Sequence, residues 1–168
     1  MSYSTISLNT DANAITTMTL DRPDKHNALS AEMIAEITEA TQKLAKDTSI
    51  RVVILSGNGK SFCAGGDLAW MREQMAATRS QRMSEARKLA EMLFHLNTLP
   101  MPLIGNIHGN AFGGGVGLVS VCDVAYSSKS VRFALSETKL GLIPATISPY
   151  VSAKIGENNA KYAGSSAR

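Results

Sequence analysis

Residue types alternate from Tyr3 to Leu8 and again from Ile15 to Leu20, with Asp11-Ala12-Asn13 between the two runs. That pattern predicts a β-hairpin. The second run enters Asp21-Arg22-Pro23-Asp24-Lys25-His26-Asn27-Ala28-Leu29, a polar loop with a proline. Ser30 then suits the N-cap of a helix with Ile34, Ile37, Thr41 and Leu44 along one stripe. Val52-Val53-Ile54-Leu55 predicts a short strand buried on both faces. Phe62-Cys63-Ala64-Gly65-Gly66-Asp67-Leu68 is a strand–glycine–helix junction, with Asp67 as cap of a helix holding Trp70 and Met71. From Ser80 to Leu99, Met83, Ala86, Ala90, Leu93 and Leu96 recur at helical spacing, and Pro100 and Pro102 stop the helix. The methionines and Phe94 read as core filling, and His95 as a surface or satisfied histidine.

Leu103 to Ile107 reads as a strand that feeds Ile107-His108-Gly109-Asn110-Ala111-Phe112-Gly113-Gly114-Gly115-Val116-Gly117-Leu118. Its three consecutive glycines open an apolar helix ending near Asp123, a second junction of the same physical type. Val124 to Tyr126 and Val131 to Ala134 predict two further strands. Ser148-Pro149 starts a short helix that Gly156 stops. Residues 157–168 are small and polar and read as a frayed or truncated tail behind a core spanning 1–156. Short strands alternating with helices make an α/β domain, with no internal repeat visible in the residues.

Composition narrows the function. At 168 residues, 44% hydrophobic and 18% charged, the chain suits one folded domain. Net charge is +3 with no basic block, so nothing favours nucleic acid. Cys63 and Cys122 sit among small or apolar residues, as buried thiols in a reducing compartment do. No apolar run has the length of a membrane span and Met-Ser-Tyr-Ser does not begin a signal peptide, so a cytoplasmic protein is expected.

The chemistry lies at the glycine junctions. Glycine lets a backbone approach a ligand closely, and the first turn of a helix turns unpaired N–H groups outward. Together they suit an anion, or an oxygen that becomes one during a reaction. Close packing of helix on strand explains the same glycines equally well. A dinucleotide fingerprint fails on spacing, because its last glycine falls on Leu118 or Ser120. A phosphate-binding loop at Gly57-Asn58-Gly59-Lys60-Ser61 fails as well, since its first glycine falls on Ile54. Lys25 and His26 suit a phosphate-bearing ligand or simply a solvated loop. Glu137 is a lone carboxylate among apolar residues; the plain alternative is an ion pair with Arg132 or Lys139.

Four pieces in this order resemble the enoyl-CoA hydratase/isomerase, or crotonase, superfamily: Arg22 to Leu29, Phe62 to Leu68, His108 to Asp123, and Phe133 to Pro144. The resemblance covers Ile6 to Gly156. It implies a spiral of ββα units that binds an acyl-CoA thioester, with no cofactor beyond the coenzyme A of the substrate and no metal. It also implies a homotrimer or hexamer, built by C-terminal helices that this chain lacks. The backbone N–H groups of Gly66 and Gly114 would bind the thioester oxygen. The segments Lys25-His26-Asn27-Ala28 and Ala64-Gly65-Gly66-Asp67-Leu68 would hold nucleotide and pantetheine.

Hydratases of the family carry two glutamates. The second matches Glu137 and the first falls on Gly117. The glycine block together with Ile143 to Val151 looks most like the subgroup that hydrates branched, carboxylated enoyl-CoAs, 3-methylglutaconyl-CoA and γ-carboxygeranoyl-CoA. Gly117 is then expected to leave room for a branched acyl chain, and the substrate's own carboxylate to help position water. The leading expectation is a hydratase with Glu137 exchanging the α-proton. The alternatives are a double-bond isomerase, which needs one acid–base residue, and a non-catalytic acyl-CoA-binding or assembly protein.

Overall fold

The computed structural model describes residues 3–137 and 141–166, without the side chains of 165 and 166. Strands β1 (Ile6–Thr10) and β2 (Ile15–Leu20) form the expected antiparallel hairpin, with Ile6 opposite Leu20. The Asp11 carboxylate accepts the N–H groups of Asn13 and Ile15 and so fixes the turn. β3 (Val52–Gly57), β5 (Leu103–Ile107) and β7 (Val124–Ser127) then add in parallel, giving the order β1-β2-β3-β5-β7. A second, wholly parallel sheet has the order β4-β6-β8, from Ser61–Cys63, Asn110–Phe112 and Phe133–Ala134.

The two sheets grow together. Each strand added to the first sheet is followed at once by one added to the second, and helices carry the chain back. α2 (Leu68–Ala76) and α3 (Arg79–Asn97) return from β4, and α4 (Gly114–Ser120) returns from β6. This is the expected α/β spiral of ββα units. The repeat exists in topology, with none visible in the residues.

α1 (Ala31–Leu44) starts where Ser30 accepts the Met33 N–H, and its stripe of Ile34, Ile37, Thr41 and Leu44 is buried. It packs with the C-terminal half of α3 over one face of the larger sheet. There Met18, Leu20, Val53, Leu55, Leu103 and Ile107 meet Met33, Ile37, Leu93 and Leu96. Among the described residues no helix is long and apolar enough to cross a membrane.

Several expectations need correction. β3 buries one face completely through Val53 and Leu55, whereas Val52 and Ile54 are only half-buried, because α1 and α3 cover one side of the sheet. Of the α3 stripe only Leu93 and Leu96 are buried, joined by Met92 from beside it. Met83 is 59% and Phe94 55% exposed, since the N-terminal half of α3 lies beyond the reach of α1 and Phe94 faces away from it. Residues 157–166, expected to fray, form helix α6 (Glu157–Ser166). Gly156, at φ 81°, ends α5 (Ser148–Ile155) as expected, and Ala160 and Ala163 of α6 pack back onto the core.

Candidate active site

Two bends, forty-odd residues apart in the chain, meet where the sheets hand the chain to α2 and α4. The first is built by backbone pairing. The Leu29 N–H bonds the Gly65 carbonyl at 2.7 Å and the Asp67 N–H bonds the Leu29 carbonyl at 2.9 Å, so Leu29 pairs in parallel with Gly66. In such a bridge the polar groups of the central residue face away from its partner, which turns the Gly66 N–H outward. The Ala64 N–H also bonds the His26 carbonyl, and these bonds hold the 22–29 loop against the bend. Asp67 fixes the orientation of α2: its carboxylate accepts from the N–H groups of Ala69 and Trp70 and pairs with Arg22 at 2.9 Å. Burial opposes the charged form, but the Arg22 and backbone hydrogen bonds hold its pKa below the ordinary carboxylate value.

The second bend contains the glycine run, and its four glycines have different neighbours. Gly113 has φ 49° and sits beneath Glu137; a Cβ there would lie 2.8 Å from Glu137 Oε1. Gly114 is the first residue of α4, so its N–H has no intrahelical acceptor. A Cβ on Gly115 would fall 2.5 Å from the Cys63 carbonyl oxygen, which makes this residue a helix–strand packing contact. A Cβ on Gly117 would fall 2.5 Å from Ile147 Cγ2. The bends touch: a Cβ on Gly65 would lie 3.1 Å from the Phe112 carbonyl oxygen. The packing reading holds at 115 and 117, while Gly114 packs against Leu29, whose Cδ1 would lie 2.8 Å from its Cβ, and also lines the cavity.

Gly66, Gly114 and Glu137 line one cavity of about 670 Å³, walled further by Leu29, α2, the first half of α3 and residues 142–147. Glu137 Oε2 is buried and has no hydrogen-bond partner. Burial raises the pKa of this carboxyl above the ordinary carboxylate range. Arg132 forms no ion pair with it among the described residues; Lys139, the other candidate, lies outside them.

Of the residues expected to hold coenzyme A, Gly66, Gly114 and Leu68 line the cavity. Lys25, His26, Ala28, Ala64 and Asp67 belong to the joined loop and bend but do not line the cavity, and Lys25 and His26 are exposed. His26 Nδ1 lies 3.1 Å from Ser61 Oγ, and the Asp67 carboxylate is already fully engaged.

Gly117 requires a correction. It is buried and does not line the cavity, and the space beside it is filled by Ile147 rather than left for an acyl chain. Ile147, 3% exposed, is itself part of the cavity wall. Reading the sequence missed this residue, although the glycine block and the Ile143 to Val151 segment already stood out together.

The family model for enoyl-CoA hydratase/isomerase matches residues 10–168. Enoyl-CoA hydratase AKT6-1 of Alternaria alternata is 36% identical over 149 residues, 89% of this chain and 48% of that protein. An enoyl-CoA hydratase from Shewanella pealeana superposes with a TM-score of 0.95 at 37% identity, covering 99% of this chain and 62% of that one. Pseudomonas aeruginosa AtuE superposes with a TM-score of 0.93 at 33% identity, covering 98% and 63%. The chain spans about half the length of the curated relatives it matches. With this match, a shared spiral and two touching glycine bends, the chain belongs to the enoyl-CoA hydratase/isomerase family.

Proposed function

We propose that the protein carrying this chain hydrates the 2,3 double bond of a branched, carboxylated enoyl-CoA. The observation that carries the reading is the buried, partnerless Glu137 oxygen in the same cavity as Gly66 and Gly114. In this reading the two amides donate to the thioester oxygen, which gains negative charge as the enolate forms. Losing one such donor typically raises a barrier by about 3–4 kcal/mol. Glu137 gives its proton to the α-carbon and recovers one from the water whose oxygen bonds the β-carbon. The product thus gains one H and one OH. Burial keeps this carboxyl protonated at higher pH than a solvated one, which suits a proton donor.

Loss of the conjugated absorbance of a 2-enoyl-CoA on incubation with the intact protein is the expected result. A stable signal with every straight, branched and carboxylated substrate would refute hydration. One observation favours a second reading. Among the described residues two carboxylates line the cavity, and Glu85 is engaged by Trp70 and Lys88, which leaves Glu137 for proton transfer; a Δ3,Δ2-isomerase needs only one. A 3-enoyl-CoA that gains absorbance while 2-enoyl-CoAs stay intact would select that reading. A non-catalytic acyl-CoA-binding protein would do neither.

A further inference from the structure

The far wall of the cavity is polar in a way the proton chemistry does not use. α2 runs away from the Gly66 bend, rising about 1.5 Å per residue, so Arg72 and Gln74 stand roughly one to two turns from the thioester end. Arg82 joins them from the first turn of α3. Neither guanidinium makes an ion pair or side-chain hydrogen bond among the described residues. The acid nearest in sequence to Arg82 on this wall is already occupied: Glu85 accepts from Trp70 Nε1 at 3.2 Å and from Lys88 Nζ at 2.6 Å. Gln74 adds a buried amide oxygen with no partner, and half a turn of that amide would place an N–H in the same spot. The remaining wall is largely apolar, through Leu68, Met71, Met75, Leu89 and Ile143.

We propose that Arg72 and Arg82, assisted by the Gln74 amide, bind a carboxylate at the distal end of the acyl chain and so select dicarboxylic over monocarboxylic acyl-CoAs. The inference rests on the acyl-CoA reading above and adds the residues that decide the acyl class. Two unpaired cations beside apolar surface favour an anion, and a guanidinium fork matches a carboxylate in particular. The phosphates of coenzyme A are the other anion available. The loop carrying Lys25 and His26, which is bonded to the Gly66 bend and does not line this cavity, offers them a separate pair of basic side chains. A carboxylate held by a guanidinium keeps lone pairs free, so it can still accept from the attacking water.

The test uses the intact protein and its Arg72→Gln, Arg82→Gln and double variants. Turnover is compared for 3-methylglutaconyl-CoA and 3-methylcrotonyl-CoA, and binding for the unreactive glutaryl-CoA, butyryl-CoA and free CoA. The parent should prefer the carboxylated member of each pair, and each variant should cut that preference about 10- to 100-fold. A parent with no preference, or variants that weaken both members equally, would overturn the proposal. Loss of free CoA affinity in step with the variants would assign the cations to phosphate and overturn it too. If no substrate turns over but glutaryl-CoA binding still depends on both arginines, the hydratase reading fails and this one stands.

Discussion

Gly117 and Ile147 provide the sharpest check on how this site is built. An alanine at 117 would place its Cβ 2.5 Å from Ile147 Cγ2 and 3.1 Å from Ile147 Cβ. Carbon pairs rest at about 3.5–4.0 Å, so the new methyl overlaps its neighbour by at least ~1 Å. Both residues are buried, and Leu93 Cδ2 closes the far side at 3.7 Å, which leaves little freedom to relax. Gly117→Ala should therefore cost about 1–3 kcal/mol. Ile147→Ala alone should cost about 2–5 kcal/mol through its cavity. In the double variant each change relieves the other: the offending Cγ2 is gone and the added methyl fills part of the void. Urea unfolding of the four proteins should yield a double variant more stable than the sum by about 1–3 kcal/mol. A Gly117→Ala protein as stable as its parent, or costs that simply add, would refute the packing argument. The same geometry predicts that a glutamate introduced at 117 cannot supply a second carboxylate by itself. A gain on straight-chain enoyl-CoAs should require Ile147→Gly as well.

Further outcomes follow from the remaining contacts. Glu137→Gln should lower turnover by about 10²–10⁴-fold while coenzyme A binding is nearly retained, measured by steady-state kinetics and calorimetry; unchanged turnover removes Glu137 from the mechanism. Burial raises the folded-state pKa of Glu137, so the folded protein binds this proton more tightly than the unfolded chain. Its contribution to stability should fall as pH rises from the ordinary carboxylate value through the raised one. Melting curves should accordingly show Glu137→Gln gaining on the parent with increasing pH, and a constant or shrinking difference would contradict this sign. Burial pushes the thiols of Cys63 and Cys122 up to about 12, so alkylation at pH 8 should be slow until the chain unfolds, and rapid native labelling would show an accessible thiolate. Asp67→Ala removes the α2 cap and the partner of Arg22 and should cost about 1–2 kcal/mol in chemical unfolding.

Much of the local structure was legible in the chain because local physics decides it. Alternation along 3–20 marks the hairpin, and the Ser30 and Asp67 caps mark where α1 and α2 begin. The proline-first, glycine-last pattern bounds α5. Each of these depends on neighbours a few residues away. The N-terminal half of α3 was misread for the opposite reason. Met83 and Ala86 recur at core spacing with Ala90, Leu93 and Leu96, but whether a stripe is buried depends on a partner helix, and on α3 only residues of the C-terminal half are buried.

The glycine run shows the same division within one helix turn. The residues alone established that a backbone must come close to something there, and left ligand and packing contact as equal readings. Tertiary structure gives each glycine its own neighbour. Gly113 faces Glu137, Gly114 faces Leu29 and the cavity, Gly115 faces Cys63 and Gly117 faces Ile147. Likewise the missing carboxylate at 117 was visible in the sequence, but the isoleucine that fills its place comes from thirty residues downstream. Periodicity, capping and turn chemistry are short-range properties of a chain. Which surfaces meet is set by how the ββα spiral closes, and the distance between residues far apart in sequence exists only once it has closed.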